Sequence, residues 1–82
     1  MPKVSDREAI IDQLIQLLRA ERLRQKRSVN EVAGTAGLSH SMVLRVESRE
    51  RLPTIDTLLR ISDALAVDLS AFLRTAIKSV RK

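Results

Sequence analysis

The 82-residue chain has no cysteine, a single histidine and a single aromatic residue. Without cysteine it can form neither a disulfide bond nor a thiolate metal site. One histidine, with no cluster of metal-binding side chains around it in the sequence, gives no basis for a metal centre, so we expect neither metal nor cofactor. Because Phe72 is the one aromatic residue, the core must be built from leucine, isoleucine, valine and alanine.

Long apolar runs are also missing. No stretch approaches the roughly 20 apolar residues of a membrane span, and the N-terminal sequence MPKVSDREAI lacks the apolar centre of a signal peptide. Neither a Ser/His/Asp set, nor a paired-carboxylate cleft, nor a glycine-rich phosphate loop is visible, so we do not expect an enzyme. The length allows one small domain, which we expect in the cytoplasm and away from membranes.

Basic residues are in excess and unevenly distributed. The net charge is +5. Residues 19–51 contain eight basic and four acidic residues, a net of +4, whereas residues 52–77 contain two basic and three acidic residues, a net of −1. A basic half suggests a polyanionic partner such as nucleic acid, although a charged surface can also serve solubility alone.

Apolar spacing and capping residues predict five helices with short connections and no strand. Ser5 with Glu8, and Ser28 with Glu31, have the spacing of a capping box at a helix start. The predicted helices cover 6–25, 29–36 and 40–48, followed by one that Thr54 caps and one that Asp68 caps, with residues 79–82 frayed. The apolar set of the fourth helix comprises Ile55, Leu58, Leu59, Ile61, Leu65 and Ala66.

The second and third predicted helices meet at the short turn Gly37-Leu38-Ser39. Gly37 has the position of a left-handed residue that ends a helix, and Leu38 can enter the core beneath the turn. Ala33 is small where the two helices must cross closely. This is the sequence form of a helix-turn-helix, whose second helix enters the DNA major groove.

Residues from about 14 to 73 resemble the Cro/C1-type helix-turn-helix family, also called the XRE family, of phage-repressor-like transcriptional regulators. The resemblance implies an all-α, five-helix, lambda-repressor-like domain. We therefore expect 1–82 to be a single DNA-binding domain of bacterial or phage type. The matching segments are Ser28-x-x-x-Val32-Ala33-x-x-Ala36-Gly37-Leu38-Ser39, Ser41-Met42-Val43-x-Arg45-Val46-Glu47, Arg51-x-Pro53-Thr54-x-x-Thr57-Leu58-Leu59-Arg60-Ile61 and Ala64-Leu65-x-Val67.

The resemblance implies that the third helix reads DNA bases. The residues that fall where the family's recognition helix faces base edges are Ser39, His40, Ser41, Met42 and Arg45. Serine and histidine can each donate or accept a hydrogen bond, and arginine can bind guanine O6 and N7 together. Met42 has packing as an alternative role, and a lone histidine is often only a surface group.

Phosphate contacts are expected on both sides of that helix. Ser28, Val29 and Asn30 lie at the start of the second helix, where free N–H groups and the helix dipole favour anions. Arg49 and Arg51 lie in the loop where the family grips the DNA backbone. An isolated arginine is otherwise a solvated side chain.

Three departures from the family pattern are present. Val29 stands where many members carry a glutamine that contacts phosphate and braces the recognition helix. Arg27 and Glu21 stand where apolar residues are common. Arg49 replaces the usual glycine after the third helix, so either the turn differs or Arg49 adopts a positive φ.

Arg22 and Glu47 match positions that often form an interior ion pair between the first helix and the end of the third. The resemblance implies a structural role for them. A buried pair of this kind adds little net stability but is costly to break.

The resemblance implies a sequence-specific transcriptional regulator, a repressor or a controller-type autoregulator, that binds a pseudo-palindromic operator in double-stranded DNA as a homodimer. Small members of the family have no effector domain, so no small-molecule effector is expected. One candidate dimer interface lies at the fifth helix and its junction with the fourth, and its residues can instead close the monomer core. This first candidate comprises Leu69, Phe72, Leu73, Ala76 and Ile77. Ile10 and Ile11 are a second candidate interface.

An antitoxin, or another interaction module that sequesters a protein partner, is the alternative function. A toxin-binding protein usually adds a segment outside the DNA-binding domain. Only residues 1–5 and 78–82 lie outside the predicted helical region, which favours the regulator.

Overall fold

The structure is a computed structural model that describes residues 5–81. These residues form five helices and no strand, so the predicted all-α architecture is confirmed. None of the described helices combines the length and the hydrophobicity that a membrane crossing requires. The helices are α1 (Asp6–Arg24), α2 (Val29–Ala36), α3 (His40–Glu47), α4 (Ile55–Leu65) and α5 (Leu69–Val80).

Each helix begins at a side chain that caps its first turn by accepting a hydrogen bond from a backbone N–H group. Ser28 forms a complete capping box with Glu31. At the start of α1 only the bond from the Glu8 N–H group to Ser5 is present, at 3.2 Å, so that predicted box is half formed. The capping residues are Ser5, Ser28, Ser39, Thr54 and Asp68.

Left-handed residues follow α1 to α4, and their N–H groups bond back to carbonyl groups of the last helical turn. Only one of these residues is a glycine. A residue with a side chain costs roughly 1–2 kcal/mol in this conformation, so three helix ends carry local strain. The four residues and their φ angles are Lys26 (57°), Gly37 (70°), Arg49 (67°) and Ala66 (58°).

The core is aliphatic, as the scarcity of aromatic residues predicts. α1 packs along α5, and α2 packs against both α3 and α4. The valine, leucine and isoleucine side chains that are at most 2% exposed are those of Ile15, Val32, Val43, Val46 and Leu65. Two of these five belong to α3, so one face of that helix is fixed to the domain and the opposite face is free.

The C-terminal end of α5 is more ordered than its polar sequence suggests. The predicted fraying is wrong for Ser79 and Val80, which belong to the helix. Val80 packs against the core, and the Arg81 side chain lies 3.5 Å from the Asp6 carboxylate of α1. Lys82 lies outside the described residues.

Candidate nucleic-acid interface

The turn between α2 and α3 is fixed from within and from α4. Gly37 adopts a φ of 70°, and the Leu38 N–H group donates to the Ala33 carbonyl oxygen at 2.9 Å. Arg60 of α4 donates through Nη1 to the Ala36 carbonyl oxygen at 3.3 Å. A Cβ atom at position 37 would lie 3.1 Å from that nitrogen. The backbone conformation therefore favours glycine here, and a Cβ atom would require the Arg60 guanidinium to shift by a few tenths of an ångström.

α3 has a buried face and an exposed face. Val43 and Val46 are 0% and 1% exposed and hold the helix against the domain. His40, Ser41 and Arg45 are exposed on the other side, and their side chains form no hydrogen bond with any described residue. We call these three residues the recognition tip, because their donors and acceptors remain available to base edges.

Ser39 and Met42 are the other predicted base-reading residues. Each also makes a contact within the domain. The Ser39 hydroxyl accepts a hydrogen bond from the Met42 N–H group at 3.0 Å, which leaves its own O–H free to donate. Met42 is half-buried and packs against the core, so packing accounts for at least part of its role.

The first turn of α2 is only partly available to a phosphate. Ser28 accepts from the Glu31 N–H group at 3.0 Å, and Glu31 Oε1 accepts from the Ser28 N–H group at 2.8 Å. The N–H groups of Val29 and Asn30 have no intrahelical acceptor. The Ser28 N–H group also holds the pKa of Glu31 below its usual value. A charged carboxylate therefore lies beside the expected phosphate position, an effect that the capping pattern in the sequence signals only indirectly.

The loop after α3 carries two arginines in different environments. Arg49 adopts a φ of 67°, the second of the two alternatives that its sequence position left open. Its Nε donates to Asp12 Oδ1 of α1 at 3.0 Å. Arg51 is exposed and has no ion-pair partner among residues 5–81. Sequence reasoning missed Asp12, because nothing in a helical pattern indicates a contact 37 residues away.

Arg22 and Glu47 lie together between α1 and the end of α3. Arg22 donates to both carboxylate oxygens of Glu47, from Nε at 2.8 Å and from Nη2 at 2.9 Å. Its Nη1 also donates to the Arg27 carbonyl oxygen at 2.9 Å. Since Arg22 is only 8% exposed, both charges are largely removed from water and satisfied by each other.

A groove separates α1 from the C-terminal half of α3 and the loop that follows it. Leu23 and Leu44 are each 49% exposed there. The charged residues that line the groove are Asp12, Arg19, Arg22, Glu47 and Arg49. Three arginines against two carboxylates give this edge of α3 a positive balance.

Glu21 and Arg27 stand where the family usually has apolar residues. Their side chains form hydrogen bonds instead of apolar contacts. Arg27 donates to the Ala64 carbonyl oxygen at the end of α4 and to Thr35 Oγ1 at 2.9 Å. Glu21 accepts from Arg24, which lowers the pKa of Glu21 from 4.5 to about 2. These positions therefore stabilise the fold without contributing to the exposed face of α3.

The predicted interface residues of α5 differ in how deeply they are buried, because α5 packs on α1. Ala76 is completely buried, so this residue closes the monomer core, the alternative to an interface role that its sequence position left open. Leu69, Phe72 and Ile77 are half-buried and contact the core, whereas Leu73 is 37% exposed. Ile10 and Ile11, the second candidate interface, pack within the monomer, so core contacts already use these side chains.

Other apolar side chains are exposed along α4 and at its junction with α5. Ile55 is 68% exposed and Leu59 is 46% exposed. Their spacing predicted a common inner face with Leu58 and Ile61, but they lie on the flank of α4. Leu59 and Leu73 line one groove, together with Val67 and Leu69. We call Ile55, Leu59, Val67, Leu69 and Leu73 the apolar side face.

A capped helix, a tight turn with a left-handed glycine and a second helix with a free polar face define a helix-turn-helix protein. The helix-turn-helix family matches residues 18–72. The chain belongs to this family, the Cro/C1-type DNA-binding transcription regulators.

The fold is similar to that of a solved relative. The crystal structure of a single-residue variant of the restriction-modification controller protein C.Esp1396I superimposes with a TM-score of 0.78 at 21% sequence identity. The similarity covers 87% of this chain and 92% of that one. No curated protein sequence matches the chain.

Proposed function

We propose that the protein is a sequence-specific regulator that binds a pseudo-palindromic operator as a homodimer. The observation that carries this function is the recognition tip. His40, Ser41 and Arg45 are exposed on one face and have no partner within the described residues, while the valines behind them are fully packed. Exposed polar side chains on a rigid helix are what base readout in the major groove requires.

Arg45 is the principal base-reading residue in this proposal. It lies in the last turn of α3, and its guanidinium is free to bind guanine O6 and N7 in the bidentate geometry that discriminates bases by about 1–3 kcal/mol. His40 and Ser41, whose side chains are shorter, add base contacts from the first turn of α3. Ser39 and Met42 border the tip and complete the proposed base-reading set.

Phosphate contacts on both sides of α3 would orient it in the groove. On one side, the N–H groups of Val29 and Asn30 point out of the first turn of α2, next to Ser28. On the other side, Arg49 and Arg51 follow the end of α3. Such contacts set position and orientation but carry no sequence information.

The apolar side face supports the homodimer. Exposed apolar side chains that line one groove offer a surface for contact with another protein, and this groove lies outside α2 and α3. A second copy that covers this face would leave both recognition tips free. Two tips must reach successive major grooves about 34 Å apart for a pseudo-palindrome to be bound.

Selection of binding sequences from a random pool of DNA duplexes tests both parts of the proposal. We expect an enriched site of two inverted half-sites, and footprinting on the DNA that flanks the protein's own gene would then show whether it regulates itself. A pool without enrichment would contradict sequence-specific binding. Enrichment of a single half-site would contradict the homodimer.

A further inference from the structure

We propose that Asp12 is a positioning residue that holds the guanidinium of Arg49 for contact with a DNA backbone phosphate, a role that rests on the DNA binding proposed above. Asp12 lies on α1, outside the helix-turn-helix. Its carboxylate is the only one among the described residues that pairs with Arg49. The pair spans the groove between α1 and the loop that follows α3.

The Asp12 carboxylate is itself held in place. Its Oδ2 accepts a hydrogen bond from Gln16 Nε2 at 2.9 Å, one turn further along α1. Its Oδ1 accepts from Arg49 Nε at 3.0 Å. Both oxygens are thus directed by neighbours, so the carboxylate presents a fixed acceptor to the arginine.

The pair leaves most of Arg49 available to a second anion. A guanidinium has five N–H donors, and the structure uses only the one on Nε. The side chain is 28% exposed, so it is ordered against the protein but still reaches solvent. Ordering a long side chain before binding removes part of the entropic cost of complex formation.

The backbone conformation at Arg49 does not require an arginine. Its φ of 67° is a conformation that glycine adopts without steric cost, and glycine would end the helix equally well. A glycine would lack the ion pair with Asp12 and any contact to phosphate.

The sign of the charge effect makes the role of Asp12 testable. A carboxylate near DNA repels phosphates, so its removal alone should strengthen binding. If Asp12 acts by positioning Arg49, its removal should instead weaken binding. Opposite signs therefore separate a positioning role from simple repulsion.

The experiment compares Asp12→Ala with Asp6→Ala in binding to a random-sequence DNA duplex over a series of salt concentrations. Asp6 is a matched control, because it lies on the same helix and pairs with an arginine, Arg81, away from α3. We expect Asp12→Ala to weaken binding about 3–10-fold and to lower the salt slope by up to about one unit, as loss of one phosphate contact does. Asp6→Ala should leave both unchanged.

A double-mutant cycle completes the test. In an Arg49→Ala background, Asp12→Ala should cause no further loss, because the group on which it acts is gone. Gln16→Ala should cause a smaller loss of binding than Asp12→Ala. If Asp12→Ala does not fold, Gln16→Ala and Asp12→Asn replace it in the comparison. Stronger binding by the Asp12 variants, or equal losses in both backgrounds, overturns the positioning role. If the unaltered protein binds no duplex, the proposed function fails as well.

Discussion

Arg22 and Glu47, 25 residues apart in sequence, join α1 to the end of α3 through two hydrogen bonds of 2.8 and 2.9 Å. Because Arg22 is buried, Glu47→Ala would leave a guanidinium without its counter-ion. We expect the free energy of unfolding to fall by about 3 kcal/mol, as measured by urea denaturation. Arg19→Ala is the control, since Arg19 lies 3.6 Å from the same carboxylate and is mostly exposed. Its effect should stay under about 1 kcal/mol, and equal losses would contradict the assignment of Arg22 as the main partner.

Ala66 ends α4 with a φ of 58° and is exposed. Glycine removes the steric cost of this conformation, although it also gives the unfolded chain more freedom. We expect Ala66→Gly to raise the free energy of unfolding by about 0.5–1 kcal/mol. Gly37→Ala should have the opposite sign and a larger size, because its Cβ would also meet Arg60. Denaturation curves in urea measure both, and a destabilised Ala66→Gly protein would refute the strain assignment.

Acid should destabilise the fold through carboxylates that the structure stabilises in their charged form. Arg24 lowers the pKa of Glu21 from 4.5 to about 2, and hydrogen bonds lower the pKa values of Glu31 and Asp68. When the folded pKa is below the unfolded one, the stabilisation is complete above the unfolded value and is lost as the pH falls through the folded one. For Glu21 the window runs from pH 4.5 down to about 2. Unfolding curves across this range should show the decline, and Glu21→Gln should make it shallower; an identical pH profile would contradict the role of Glu21.

The sequence predicts local features of this fold well, because they depend on neighbouring residues. The capping side chains and the left-handed position of Gly37 correspond to the observed helix ends. The family resemblance of residues within the motif is likewise confirmed by the match over 18–72. These features are set by hydrogen bonds and sterics within a few residues.

Features that depend on distant contacts were harder to predict. The pairing of Asp12 with Arg49 has no periodic signal, and Ala76 became buried because α5 packs along α1. Ile55 and Leu59 share apolar character with the inner residues of α4 but lie on its flank. Apolar spacing predicts that a helix is amphipathic, but which edge of its apolar stripe stays exposed depends on where neighbouring helices pack.

The apolar side face gives a prediction about oligomeric state. Leu59 is 46% exposed in the monomer, so a charge there should not disturb the core but should oppose contact with a second copy. We expect Leu59→Asp to be monomeric by analytical ultracentrifugation and to retain its helical circular dichroism. Leu23→Asp is the control, because Leu23 is 49% exposed on α1, away from this face. A dimeric Leu59→Asp protein would place the interface elsewhere.

Arg45 and Arg51 should differ in how they contribute to DNA binding. Arg45→Ala removes the proposed bidentate contact with guanine, so affinity for the selected operator should fall by about 1–3 kcal/mol while affinity for random DNA is kept. Arg51→Ala removes a proposed phosphate contact, so affinity should fall on all sequences and the salt slope should decrease by about one unit. Fluorescence anisotropy with both duplexes over a salt series measures both effects. Because both arginines are exposed, neither variant should unfold the domain. Equal losses on both duplexes for Arg45→Ala would remove it from base readout, and an unchanged slope for Arg51→Ala would remove it from phosphate contact.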